Sequence, residues 1–341
     1  MPLGLTCLHQ GETAECSEGS QVVDIVAVHG LNEDSVDTWT DSCTGINWLR
    51  DLIPKRLNWA QILAYGYDAS AARFLSKGAS ISIRETAKDL VNTLYSERES
   101  TNRLRRPIIF VCHGIGGIIV KESLIYSSTQ DHLRDQFVST YAILFFGTPH
   151  ERTRKSTWLD LEKLSTGSWL GRVLSTDRLL RYKKEDVISF QSVTDEFGPL
   201  KEHFRMFCFW EELPTKIGGR YEYIVPNTSA VMKLEVVERA GIPTPHLRMT
   251  KFDSEFTSSY RTALEALLRY SQDAQRVVAR RWDKAVATPS ETHTDDRNEP
   301  SPLMHHVYSS DTLQENGVGT SQSAMSHSCP LEGSAPEFVV G

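Results

Sequence analysis

The segment PIIFVCHGIGGIIVKESLIY, residues 107–126, decides how the chain is read. Pro107 to Val111 is short, apolar and rich in β-branched residues, the composition of a buried strand. Ile115 to Tyr126 continues as an apolar helix. Between the two lies a glycine-lined turn whose tip is Gly114. Glycine tolerates the left-handed backbone that a sharp strand-to-helix turn demands. A strand that ends in such a turn and feeds a helix is the repeating unit of an α/β sheet.

Similar strands recur along the chain, at Val22–Val28, Ile62–Tyr67, Ile108–Val111, Tyr141–Phe146, Met206–Trp210 and Tyr221–Val225. Most are near-continuously apolar, as strands covered on both faces are. Helical patterns separate them. Ser82-Ile-Arg-Glu85 reads as a capping box, followed by Ile83, Ala87, Leu90, Val91, Leu94 and Tyr95 at helical spacing. A second amphipathic helix is expected from Tyr260 to about Trp282, with Leu264, Leu267 and Leu268 on one side. The expected fold is a doubly wound, mostly parallel α/β sheet.

Two segments break the rhythm. Residues 151–205 hold amphipathic pieces (WLDLEKL, WLGRVL, RLLRY) and no strand, which suggests a helical insertion above the sheet. Residues 284–341 are rich in Ser, Thr, Pro, Gly and Asn. They have too few apolar side chains to offset their ordering entropy, so a disordered tail is expected. Residues 1–20 are left as an N-terminal extension, and 21–283 as the α/β domain.

Composition narrows the function classes. The 341 residues carry a net charge of −7 and 40% hydrophobic residues, which suits a globular core and offers no basic surface for nucleic acid. Cys7, Cys16, Cys43, Cys112, Cys208 and Cys329 show no C-x-x-C spacing, so neither a zinc site nor a disulfide framework is expected. The first residues, MPLGLTCLHQGETAE, have neither the basic nor the apolar region of a secretory signal. No apolar run is long enough to span a bilayer. A soluble cytoplasmic protein is the expectation.

In open α/β sheets, ligands bind beyond the carboxyl ends of the strands. The residues there are Val28-His29-Gly30-Leu31, Cys112 to Gly117, Gly147-Thr-Pro-His150, Phe209-Trp210-Glu211-Glu212 and Thr244-Pro-His246. A dinucleotide site is disfavoured because Ile119 stands where G-x-G-x-x-G needs its third glycine, and no P-loop occurs. His29, His113, His150, Glu211 and His246 share one sheet edge, but without ligand spacing no metal is expected. No cofactor is implied.

Taken together and in order, seven stretches resemble the serine-esterase and lipase-like α/β-hydrolases of the DUF676 type, the group often found as N-terminal domains of fungal NLR-like (STAND) proteins. They are DIVAVHGLNEDSVDTWT (24–40), WLRDLIP (48–54), ILAYGYDA (62–69), RPIIFVCHGIGGIIVKESL (106–124), ILFFGTPH (143–150), FWEELPT (209–215) and HLRMTKF (246–252). The resemblance implies an α/β-hydrolase fold with Glu211 as the acid and His246 as the base. The backbone amides of Leu31 and Ile115 would form the oxyanion hole. It places Gly114 where the family's elbow, H-S-x-G-G, carries the nucleophilic serine. Cys112 lies two residues earlier on the strand, where its thiol is expected to be buried and inert, and Ser123 is two turns into the helix. Two functions stay open. The favoured one is a hydrolase-fold domain without esterase chemistry that binds an acyl or lipid-like ligand or a protein partner. The other is a working hydrolase that uses water activated through His246 and Glu211, or an unrecognised nucleophile. If Glu211 holds the His246 imidazole, that ring is expected to titrate above 6.5.

Overall fold

A computed structural model describes residues 2–12, 22–70, 79–150, 192–217, 220–232 and 237–287. Strands β1 (Gly4–His9), β2 (Asp24–Val28), β3 (Gln61–Gly66), β4 (Ile108–His113), β5 (Thr140–Phe146), β6 (Arg205–Glu211) and β9 (Glu238–Ile242) form one sheet in the order β1-β3-β2-β4-β5-β6-β9. All neighbours in it run parallel except β1, which is antiparallel to β3. Between β6 and β9, strands β7 (Thr215–Ile217) and β8 (Arg220–Glu222) make a separate antiparallel hairpin. The doubly wound, mostly parallel sheet read from the sequence is the observed one.

Alternation along the central strands builds the two layers around it. Ile25 and Ala27 of β2, Ile109 and Val111 of β4, and Leu144 and Phe146 of β5 enter one buried cluster. Val26 and Val28, Phe110 and Cys112, and Ile143 and Phe145 enter a second one. Successive side chains of a strand point to opposite faces, so a strand that is apolar at every position feeds two cores. Helix α4 (Ser258–Ala287) covers the first face through Tyr260, Leu264 and Leu267, together with Trp48. Trp48 packs edge-on against Phe252 at 5.1 Å and Tyr260 at 6.2 Å, and its indole N–H donates to the Thr250 carbonyl at 2.9 Å. Helices α1 (Ala79–Ser100), α2 (Gly116–Thr129) and α3 (Arg134–Ser139) lie on the second face. At the amino end of the sheet, buried Asp24 pairs with Arg98 of α1 and, at 3.0 Å, with Arg106.

Four sequence expectations need correction. Gly4–His9, assigned to an extension outside the domain, is the edge strand of its sheet, paired with β3 from Gly4↔Gly66 onward. The strand expected at Tyr221–Val225 ends at Glu222 and belongs to the hairpin, while the outer strand of the main sheet is Glu238–Ile242. Its sequence ERAGI carries charge because an edge strand is half-exposed, so its burial pattern gave no apolar run to recognise. Ser82 is not a cap. The helix already includes Ala79, and the Ser82 hydroxyl is buried without a hydrogen bond among the described residues. The final helix extends past Trp282 to Ala287. Most of the 151–205 segment, and the 284–341 tail beyond Ala287, lie outside the described residues.

A charged side chain is also buried within the second apolar core. Lys121 of α2 is fully buried, and its ammonium position lies over the Phe145 ring at 5.8 Å and donates to Thr194 Oγ1 at 3.2 Å. Burial pushes its pKa from 10.5 down to about 7. A lysine whose folded pKa is depressed contributes stability that is complete above its unfolded pKa and lost as pH falls towards the folded value. Lys121→Met keeps the stem and removes the amine, so it is expected to raise the melting temperature by several degrees at pH 7 and by much less at pH 10. Thermal melts at the two pH values test this; an equal gain at both would mean that the amine is not desolvated.

Candidate active site

The carboxyl ends of β2, β4, β5 and β6, with the short turn His246–Arg248 after β9, bring the expected residues to one place. Gly114 ends β4 with φ +50°, in the left-handed region that a side chain enters at a cost. Its amide donates to the Phe146 carbonyl at 2.9 Å, which fixes the turn against β5. A Cβ built on Gly114 would stand 3.5 Å from His246 Nε2 and 3.8 Å from Gly30 Cα. The position that the family resemblance matches to a serine is therefore beside an imidazole.

That imidazole is brought close by a second glycine. Gly147, also left-handed at φ +57°, would carry a Cβ only 2.6 Å from His246 Cε1 and 2.9 Å from Nδ1. Any side chain there would push the ring away from the elbow.

Glu211, at the end of β6, holds His246 by its main chain. Its Oε2 accepts the His246 amide at 3.0 Å, and its Oε1 accepts the Val225 amide at 2.6 Å. The imidazole Nδ1 lies 3.7 Å from Glu211 Oε1, inside ion-pair range and beyond hydrogen-bond length. Both groups are nearly inaccessible, and burial opposes charging either. It raises Glu211 to about 7 against the amides of Val225, Ile224 and His246 that favour its anion. Burial, followed by the charge of His113, lowers His246 to about 3. The contact is thus a close approach, not a formed ion pair, and burial shifts the ring in the direction opposite to the rise above 6.5 that pairing would give. Desolvation of the ring outweighs a carboxylate that spends its oxygens on backbone amides.

A second carboxylate–imidazole pair stands on the other side of His246, and sequence reasoning missed its acid. His113 Nδ1 lies 2.7 Å from Glu33 Oε2, and His113 Nε2 lies 3.2 Å from the His246 carbonyl. Both nitrogens of His113 thus face acceptors, Glu33 Oε2 and the His246 carbonyl. Glu33 also accepts the Gly30 amide at 2.7 Å. Burial pushes Glu33 up, but the charge and hydrogen bond of His113 win and hold it at about 2. The two histidine rings are 4.7 Å apart. His246 is consequently gripped at its amide by Glu211 and at its carbonyl by His113. In sequence Glu33 is one acid in the run Asn32-Glu33-Asp34, 80 residues from His113, and nothing local marks it.

Leu31 lies just after β2, and Ile115 directly precedes α2. Cys112 is fully buried and its thiol is pushed well above its ordinary value by desolvation. Ser123 is buried too, its hydroxyl donating to the Val120 carbonyl at 2.8 Å. The other two histidines of the sheet edge are engaged elsewhere. His29 stacks on Tyr67 at 4.2 Å, and His150 lies 3.5 Å from Cys208 Sγ. Among the described residues no cluster of His, Cys, Asp and Glu has the arrangement of a metal site. No helix among them is long and apolar enough to cross a membrane.

Comparison with known proteins gives the fold its name. No family model matches the chain. Protein SERAC1 of Homo sapiens is 24% identical over 264 residues, 71% of this chain and 38% of that protein. Protein SERAC1 of Danio rerio is 25% identical over 256 residues, 74% of this chain and 35% of that protein. The chain thus spans little more than a third of the length of these relatives. Among solved structures, the mature lipase BlEst2 of Bacillus licheniformis superposes with a TM-score of 0.50 at 16% identity, over 76% of this chain and 97% of the lipase. The chain has the α/β-hydrolase fold and is similar in sequence to SERAC1.

Proposed function

We propose that this chain is a lipase-like α/β-hydrolase-fold domain without esterase chemistry, which uses the inherited site to bind an acyl or lipid-like ligand, with a protein partner as the other candidate occupant. The finer kinship, to the DUF676 type as it occurs in fungal NLR-like proteins, rests on the order of the seven motifs, as does a cytoplasmic setting on the scattered cysteines. One observation carries the reading. Gly114 has the left-handed backbone and the nearby imidazole of a nucleophile position, yet it has no side chain to attack with. In this reading Glu211 and His246 keep the acid and base positions, and the Leu31 and Ile115 amides keep the oxyanion hole.

The magnitude of the loss supports a binding role. Removing the serine of a triad costs about a millionfold in turnover, although an oxyanion hole alone retains roughly a thousandfold over water. A second nucleophile is not supplied by Cys112 or Ser123, both buried away from solvent.

Two measurements test this reading. On short p-nitrophenyl esters the wild type is expected at background, Gly114→Ser at ten times background or more, and Gly114→Ser with His246→Ala at background again. The serine should also cost about 1–3 kcal/mol of stability, because it places a side chain on left-handed backbone. A wild type as fast as Gly114→Ser, with both silenced by His246→Ala, would instead identify an enzyme that activates water directly.

NMR titration of the histidines supplies the second. His246 is expected to stay neutral from pH 8 to pH 5, its folded value being about 3 against 6.5 for a free imidazole. Its contribution to stability is complete above pH 6.5 and fades as pH falls towards 3. Glu211 acts in the opposite sense. Raised from 4.5 to about 7, it contributes most below pH 4.5 and loses that contribution as pH rises through 7. A His246 titration at or above 6.5 would show the imidazole to be charged and paired, contrary to the geometry described.

A further inference from the structure

Lys121 is fully buried on α2, one turn beyond Gly117. Its amine makes one hydrogen bond among the described residues, to Thr194 Oγ1 at 3.2 Å. The rings of Phe145 and Phe197 lie 5.8 and 6.0 Å away, at the outer limit of a cation–π contact. A neutral amine fits such a place. An ammonium would keep N–H groups without acceptors and a charge without a counter-ion among the described residues.

The titratable groups around it supply no anion. Cys112 of β4 and Cys208 of β6 are buried thiols held protonated by desolvation, Cys208 at about 11. His150, after β5, is kept neutral by burial, which lowers it well below its ordinary value. On α2 itself, the neighbouring Glu122 pairs with Arg84 of α1 at 3.4 Å. Lys88 of α1 lies over the Tyr126 ring at 5.3 Å. Asp195 and Glu196 occupy exposed positions.

A helical turn, residues 192–197, lies over the amine. Val193 and Phe197 are its buried contacts with the second core, and Phe197 stacks on Phe204 at 5.7 Å. The turn runs into Gly198, whose Cβ position meets nothing within 4 Å, so the backbone can bend there without a clash. The contacts that hold this turn down are therefore few, and one of them is to a group that can change its charge.

We propose that the 192–197 turn is a proton-controlled flap, docked over the neutral amine of Lys121 and released when that amine is charged. Lifting the turn, with Gly198 as the hinge, lets the ammonium reach water along its long stem. The inference goes beyond the binding reading and does not depend on it.

The sign follows from the two states. With the turn docked the amine titrates at about 7, against 10.5 when solvated. Protons therefore favour the lifted state, most steeply as pH falls from 10 to 7, and the effect levels off below 7. From pH 8 to pH 6 the ratio of lifted to docked chains is expected to rise about tenfold. Glu122 acts in the opposite sense, because gaining a proton relieves its repulsion from Glu196.

Hydrogen exchange of the amides in residues 192–204, read by mass spectrometry and divided by the intrinsic rate at each pH, measures that ratio. In the wild type the opening constant is expected to be about tenfold larger at pH 6 than at pH 8, with peptides of β4 unchanged. Lys121→Met cannot be charged and should keep the low value at both. Lys121→Arg is charged throughout and should show the high value at both. Glu122→Gln should retain the pH response of the wild type. An opening constant that is the same at pH 6 and pH 8 in the wild type would overturn the proposal. So would a pH response that persists in Lys121→Met or vanishes in Glu122→Gln, or one shared equally by β4, which would mark global unfolding. If Lys121→Arg does not fold, the contrast between wild type and Lys121→Met decides alone.

Discussion

The left-handed turn at Gly114 is the constraint from which the rest of the site follows. Strand β4 must end and helix α2 must begin within a few residues, and the helix must fold back onto the sheet that it has just left. Only a sharp reversal of the backbone achieves this, and φ +50° at Gly114 is how the chain does it. The amide bond to the Phe146 carbonyl ties the reversal to β5, so the tip of the turn is fixed relative to two neighbouring strands. The histidine loop and the Glu33–His113 pair are arranged around that point. Glycine meets this backbone requirement at less cost than a residue with a side chain does.

Electrostatics in this site work through main-chain groups as much as through rings. Glu211 gives its oxygens to the amides of His246 and Val225, and His113 gives a proton to the His246 carbonyl. The loop that carries His246 is held at both ends of one peptide residue, while the imidazole itself is left with unused hydrogen-bonding capacity. A buried ring in that state resists protonation, because burial disfavours its charged form and His113 lies beside it. It is therefore available as an acceptor over a wide range of pH. The Glu33–His113 pair has the opposite character. It is short and closed, and it acts as fixed structure beside an open group.

Lys121 is the exception in an otherwise apolar second core. Its amine lies among Phe145, Phe197 and Thr194, and burial brings its pKa close to neutrality. It makes this face of the sheet sensitive to pH, whereas at the amino end of the sheet Asp24, Arg98 and Arg106 are paired with one another.

The sequence by itself determined the class of fold and the address of the site. Apolar runs such as Ile108–Val111 and Tyr141–Phe146 require burial on both faces, and alternation with helices then leaves a doubly wound sheet as the arrangement that achieves it. Residues just after those runs are carried to the carboxyl edge by the same topology, which is why Leu31, Gly114, Ile115, Glu211 and His246 could be named from motif order alone. Edge elements were not legible. Gly4–His9 and Glu238–Ile242 are half-covered strands whose mixed composition resembles loop, and their identity comes from hydrogen bonds to β3 and β6. Tertiary structure alone decided that Glu33 is the partner of His113 and that Gly147 admits His246 to the elbow. It also decided that Glu211 bonds backbone and not ring. Each of these depends on distances between residues far apart in the chain and on how much water burial removes, and neither quantity is written in local sequence.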